Sequence, residues 1–245
     1  MPVTASAQYQ LKLLELAKID TKIIQLDHQR LALPEIKSVQ DLEVELGSIE
    51  MRIVAAQTEV SDLTQAQNKA ESDVEQVQSR IDRDQKKLDE GTGSAKDLEN
   101  LQHELSTLAI RLKELEDVEL EVMQQLDDAQ NALAELTTEK NVVATKLADT
   151  RKALEVKLSE IESAINEIQV ERTQIVQILP TDLADLYEKI RAERGDIGAA
   201  EMTHGACQGC HLAIDATELN RIKDLPEDYV VRCEECRRIL VRAKG

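Results

Sequence analysis

All four cysteines of this 245-residue chain lie between positions 207 and 236, as Cys207-x2-Cys210 and Cys233-x2-Cys236 with 22 residues between the pairs. A two-residue gap folds into a tight knuckle that presents both thiolates to one ion, and two such knuckles supply four. Zinc takes four sulfur ligands tetrahedrally at about 2.3 Å each. Four protein ligands leave no position for water or substrate, so the spacing predicts one structural Zn2+ held by Cys207, Cys210, Cys233 and Cys236. The rival use of such pairs is a redox dithiol. His204 and His211 flank the first knuckle as alternative ligands, and the reading places them at the surface or behind the thiolates.

The same segment carries a second candidate chemistry. Arg221, Lys223, Arg232, Arg237, Arg238, Arg242 and Lys244 put seven cations into a small module, which suits RNA, DNA or an acidic partner. Eight acids accompany them, and Tyr229 is the one aromatic there for base stacking. Nucleic-acid binding through these cations is therefore the alternative reading rather than the first.

Something must hold this module up, and composition says what. The chain has no Phe or Trp and three Tyr, while 32% of its residues are charged. Without aromatic bulk an ordinary core is hard to build, and a Leu/Ile/Val/Ala chain with this much charge is typical of long helices. Residues 1–198 hold 23 Lys/Arg against 40 Asp/Glu, so the helical part is strongly acidic. Such a surface repels phosphate and anionic lipid.

The helical periodicity is sustained. From Leu98 an apolar seam returns every seven residues to Ile175, and its partner runs from Leu101 to Thr150. An earlier segment repeats the pattern from Val39 to Leu88 and from Leu42 to Val77. Between them "DEGTGSAKD" supplies Gly91 and Gly93 for a reversal, with Ser94 and Asp97 as a capping box. A shorter helix over about residues 7–31 comes first, followed by Pro34. At 1.5 Å per residue, segments 7–31 and 36–88 span ~38 and ~80 Å, together close to the ~126 Å of 95–178. Both N-terminal helices are therefore expected end to end along the long one, with a kink at Pro34, a three-helix bundle at the base being the less simple alternative. The tip register sets Gln67 opposite Glu119, each a polar position within its seam.

Pro180 ends the long helix, and "TDLADLYEKIRAERG" reads as a short one with Thr181 as N-cap and Gly195 as stop. Leu183, Leu186, Tyr187 and Ile190 share its apolar face. Short strands are expected in "YVVRC" and "RRILVR", and a helical turn after Asp215 with Glu218 as its capping partner. The fold class is mainly α: a long antiparallel coiled-coil hairpin over 1–179 with a kinked N-terminal arm, a connecting helix over 180–196, and a small C4 zinc ribbon over 197–245. The N-terminal residues lack a basic start followed by an apolar run, and no segment has the apolar length of a membrane span. The expected location is the cytoplasm, where reduced cysteines favour metal.

"LPTDLADLYEKIR", "CQGCHLAIDATELNRI" and "CEECRRIL" together resemble bacterial coiled-coil proteins that end in a four-cysteine zinc ribbon. The likeness is specific over about 179–242 and architectural upstream. It implies the same four cysteine ligands. The family commonly has Gly after the last cysteine, whereas this chain has Arg237. A glycine there would ease a left-handed turn, so strain is expected at the second knuckle. The resemblance also implies a range of roles: the family includes a flagellar regulator that chaperones an alternative sigma factor and binds a flagellin messenger RNA, and members associated with secretion systems.

These readings converge on a non-enzymatic adaptor or chaperone-like protein that binds a protein client. RNA or DNA binding through the ribbon is the alternative, and self-association through the long seams is a further expectation. Catalysis is not expected, since a two-stranded coil offers no concave pocket with converging acid and base, and no phosphate loop or nucleophile motif is present.

Overall fold

The computed structural model describes residues 3–242; Lys244 lies outside them. Five helices and four strands follow one another: α1 (Ala7–Leu31), α2 (Pro34–Asp89), α3 (Ala95–Ile178), α4 (Thr181–Arg194), β1 (Ala199–Thr203), β2 (Ala206–Cys207), α5 (Ala216–Asp224), β3 (Val231–Arg232) and β4 (Ile239–Arg242). Pro34 is the first residue of α2, where a missing N–H costs nothing and its fixed φ suits the helix. The expected heptad positions of α2 and α3 are all buried or half-buried, from Val39 to Leu88 and from Leu98 to Ile175. Gln67 and Glu119 are half-buried with them.

The chain forms two compact units, residues 37–151 and residues 1–36 with 152–245. In the first, α2 and α3 run antiparallel. Leu42, Ile49, Val143 and Leu147 make the best-packed layer of the seam. Charges beside it bridge the helices: Glu43 to Arg151 at 2.6 Å, Glu50 to Lys140 at 3.0 Å, Arg52 to Glu139 at 3.2 Å, and Arg80 to Glu104 nearer the turn. The turn is closed by the expected capping box. Asp97 Oδ2 accepts the Ser94 amide at 2.9 Å while Ser94 Oγ accepts the Asp97 amide at 3.3 Å.

In the second unit, α1 packs on the C-terminal part of α3 and on α4. Leu13, Leu16 and Ile23 of α1 meet Ile168 and Ile175 of α3 and Leu183, Tyr187 and Ile190 of α4. Glu35 pairs with Lys157 in the same antiparallel sense as α1 follows against α3. Thr181 is not the cap of α4. The N-cap is Pro180, with no side-chain hydrogen bond, and Thr181 is already helical. Gly195 does close the helix, with φ 77° and its amide on the Arg191 carbonyl at 2.8 Å.

A four-stranded sheet in the order β2-β1-β4-β3 completes this unit, with β1 and β4 parallel and the outer pairings antiparallel. It is buried on both faces by alternation along its strands. Ala199, Ile239 and Val241 join the helical core, while Ala200, Leu240 and Val231 join the cluster around the cysteines. Pairs such as Ala199–Ile239 and Ala200–Leu240 sit in register, so one set of side chains faces each core.

Candidate metal centre

The cysteines arise from two knuckles that copy one another. In the first, the His211 amide donates to the Cys207 carbonyl at 2.8 Å and the Cys207 amide to the Leu212 carbonyl at 3.1 Å. In the second, the Arg237 amide donates to the Cys233 carbonyl at 2.9 Å and the Cys233 amide to the Arg238 carbonyl at 2.9 Å. Closing each loop this way sends the residue after the second cysteine into the left-handed region: His211 at φ 59° and Arg237 at φ 65°. The strain expected at Arg237 is therefore present, and the first knuckle carries the same strain at His211. His204, at φ 53°, with Gly205, at φ 72°, forms the two-residue turn of the β1–β2 hairpin, which requires positive φ at both positions. Both histidines are exposed, outside the cysteine cluster.

The four sulfurs lie within 4.8 Å of one another, with Cys207 Sγ 3.8 Å from Cys236 Sγ and Cys210 Sγ 3.9 Å from Cys233 Sγ. A regular ZnS4 tetrahedron with ~2.3 Å bonds has an edge of about 3.8 Å, so these separations suit one tetrahedral ion. Cys207, Cys233 and Cys236 are buried and Cys210 is half-buried, so the site is closed to solvent on most sides. Burial pushes the Cys207 thiol up to about 12 and the Cys233 thiol upward as well. At Cys236 burial also opposes ionisation, but hydrogen bonds from the Arg238 amide, the Cys233 thiol and the Arg238 side chain outweigh it and bring the thiol down to about 7.

Arg238 is the side chain that sequence reasoning misassigned to a surface role. It is 4% exposed. Its guanidinium donates to the Ile197 carbonyl at 3.1 Å and the Gly209 carbonyl at 3.0 Å and pairs with Asp196, so it staples the two knuckles to the chain entering β1. Gly209 makes room for it, because a Cβ there would stand 2.9 Å from Arg238 Cδ and 2.8 Å from Ala200 Cβ.

The other candidate cations are spent in similar ways. Arg242 donates to the carbonyls of Ile222, Leu225, Pro226, Glu227 and Tyr229, at 2.6 to 3.2 Å, and so holds the turn after α5. Arg221 forms a two-pronged pair with Glu218, at 2.6 and 2.5 Å, and holds that carboxyl below its ordinary pKa. Glu218 is thus turned toward Arg221 rather than back to cap α5, whose N-cap Asp215 accepts the Thr217 amide at 2.7 Å. Arg232 donates to the Arg237 carbonyl at 3.1 Å. Lys223 and Arg237 keep exposed side chains.

A second polar cluster escaped sequence reading altogether. Asp20 of α1 is fully buried and accepts Arg172 Nε and the Tyr187 hydroxyl, each at 2.7 Å, and forms an ion pair with Arg191, whose Nε stands 3.2 Å away without a hydrogen bond. Glu188 takes the other side of Arg172 at 2.6 Å. Burial, then the Asp20 charge, raises the Tyr187 phenol far above its ordinary pKa, so it stays protonated and donates. A signal was available: Asp20 continues the apolar face of α1 set by Leu13, Leu16, Ala17 and Ile23.

With hairpin and cysteine site established, comparison with known proteins is direct. A family model for the CT398-like coiled coil hairpin domain matches residues 16–195. The chain belongs to this family. A C4-type zinc ribbon domain matches residues 206–240, and the four cysteines fit one structural zinc ion. Rv2229c of Mycobacterium tuberculosis is 34% identical over 241 residues, 98% of each chain. A solved structure from Mycobacterium smegmatis has 32% identity and a TM-score of 0.86, covering 98% of this chain and 100% of its own. CT398 of Chlamydia trachomatis shares the fold at 16% identity and a TM-score of 0.68, covering 96% of this chain and 98% of its own. No helix among the described residues is long and apolar enough to cross a membrane.

Proposed function

We propose that this protein is a non-enzymatic, cytoplasmic adaptor that holds a protein client, with zinc serving to fold its ribbon rather than to react. The observation that carries this reading is the fate of the ribbon's cations. Arg238 and Arg221 are paired with Asp196 and Glu218, and Arg242 gives its donors to backbone carbonyls, which leaves Lys223 and Arg237 as the exposed cations to meet phosphate among the described residues of the ribbon. Four thiolates around one ion leave no open coordination position for substrate. What remains outward is a long helical pair of strongly acidic composition, a surface suited to protein contacts.

The test is affinity capture with tagged full-length protein from the native cytoplasm, with and without ribonuclease. A defined protein recovered equally in both samples is the expected outcome. Recovery of RNA, with protein partners lost on digestion, overturns the reading and returns the ribbon's remaining cations to the centre.

A further inference from the structure

On α2 the heptad seam faces α3, and the opposite side of a coil helix is ordinarily charged. Here it is not. Val44, Gly47, Met51, Val54, Ala55 and Thr58 recur at helical spacing on that outer side. They form a stripe about 22 Å long at the usual rise. Val44 is 74% exposed, Met51 71% and Val54 62%, so nothing within the chain covers them. Exposed apolar side chains elsewhere on the hairpin, such as Ile110 and Leu120 of α3, have Lys113, Glu114 and Asp117 between them on the same side and make no stripe.

Gly47 supplies an independent observation. Among the described residues it is the one glycine inside a helix, where glycine is less favourable than almost any other residue. Close packing inside the chain does not explain it, since no atom lies within 4 Å of the place its Cβ would occupy. The missing side chain leaves a notch near the N-terminal end of an apolar stripe, open to the outside, as a helix surface needs in order to seat a bulky side chain from another helix.

The charges along the edges select the occupant. Glu43, Glu50 and Arg52 are already bridged across the hairpin to Arg151, Lys140 and Glu139. Asp41, Glu45 and Glu59 share the other edge with Arg52, whose charge is taken by Glu139; these three carboxylates are exposed and have no salt bridge among the described residues. A second copy of this stripe laid antiparallel brings that acidic edge against itself; laid parallel, it meets Glu43 and Glu50. Like charges face each other in both cases. We infer that this face of α2 is a docking surface for an amphipathic helix of a partner protein, with an apolar stripe that seats a large side chain over Gly47 and Lys or Arg along the edge facing Asp41, Glu45 and Glu59. This rests on the adaptor reading and gives its client a chemistry.

Fluorescence anisotropy on the full-length protein tests the surface without knowledge of the client. The probe is a labelled peptide of about three heptads with Leu at a and d and Lys at e and g, and its control carries Glu at e and g. Binding of the Lys peptide should weaken at least about tenfold in V44Q/M51Q and remain unchanged in I110Q/L120Q. Gly47→Leu fills the notch with a good helix former, so it should raise the melting temperature while weakening binding, and misfolding cannot then explain the loss. Equal binding to V44Q/M51Q and wild type overturns the inference, as does equal binding of the Glu peptide. A dimer in sedimentation equilibrium that V44Q/M51Q dissolves also overturns it, since the occupant would then be a second copy. When a captured client is tested on the same variants, retained binding sinks this surface and leaves the adaptor reading standing, whereas the absence of any protein client sinks that reading itself.

Discussion

Asp20→Asn is the sharpest probe of how α1 is fixed to α3 and α4. The carboxylate is fully buried, accepts from Arg172 Nε and the Tyr187 hydroxyl at 2.7 Å, and is ion-paired with Arg191 Nε at 3.2 Å without a hydrogen bond. Asparagine keeps the volume, removes the charge and turns one acceptor into a donor that faces donors. Hydrogen bonds to a charged group contribute about 1.5–3 kcal/mol each, and breaking a buried ion pair costs about 3–5 kcal/mol. Arg172 keeps Glu188 at 2.6 Å and retains some solvent contact, so the cost belongs at the lower end, about 3 kcal/mol. Tyr187→Phe removes one donor and leaves both arginines on the carboxylate, which predicts about 1–2 kcal/mol. Since the two residues share one bond, the double variant should fall short of the sum by about 1 kcal/mol. Urea unfolding reads this out, followed by near-ultraviolet circular dichroism of the buried Tyr187 for Asp20→Asn and by far-ultraviolet circular dichroism for the variants that lack it. The midpoint should drop at constant m-value. An Asp20→Asn protein within about 1 kcal/mol of wild type refutes the claim that this cluster anchors α1.

Further expectations follow from the ribbon. Cys233→Ser/Cys236→Ser should lose one zinc per chain by native mass spectrometry. It should also lose amide protection over β1 to β4, while α2 and α3 between residues 37 and 151 keep theirs. Arg237→Gly removes left-handed strain worth about 1–3 kcal/mol against a glycine entropy cost of about 0.5–1 kcal/mol, so metal-loaded protein should gain up to about 1–2 kcal/mol in unfolding free energy. Arg242→Ala should destabilise by about 2–4 kcal/mol, with faster exchange after α5, because several carbonyls lose a charged donor together. The carboxyls of Asp215 and Glu218 are held below their ordinary values, by the Thr217 amide and by Arg221 respectively. Their contribution to α5 is complete above the unfolded carboxylate range near pH 4 and is lost as pH falls through the lower folded values, which hydrogen exchange of residues 216–224 will show.

Long periodic features were legible in the sequence. The seams, the turn at Gly91 and Gly93, the Ser94–Asp97 box and the helix stop at Gly195 all depend on local spacing, and each stands where the residues put it. The cysteine site was legible for the same reason, and the resemblance pointed to a left-handed residue at 237, whereas the matching one at His211 was not foreseen. Strands β1 and β2 were not foreseen, because "AAEMT" and "AC" carry little strand propensity and owe their state to pairing with β4 and closure of the first knuckle. The arginines show the deeper limit. Sequence gives a guanidinium its charge but not its neighbours: Arg238 and Arg172 look like any coil or ribbon cation until folding brings Gly209 or Asp20 within reach. Thr181 failed as a cap because Pro180 already occupies that position.

The adaptor account stands or falls on whether purified protein and purified client form a complex unaided. Sedimentation velocity on zinc-loaded full-length protein mixed with its captured client, both treated with nuclease, measures this directly. The account predicts a faster-sedimenting species of fixed stoichiometry that forms without RNA. Two components that sediment separately until RNA is restored would contradict it.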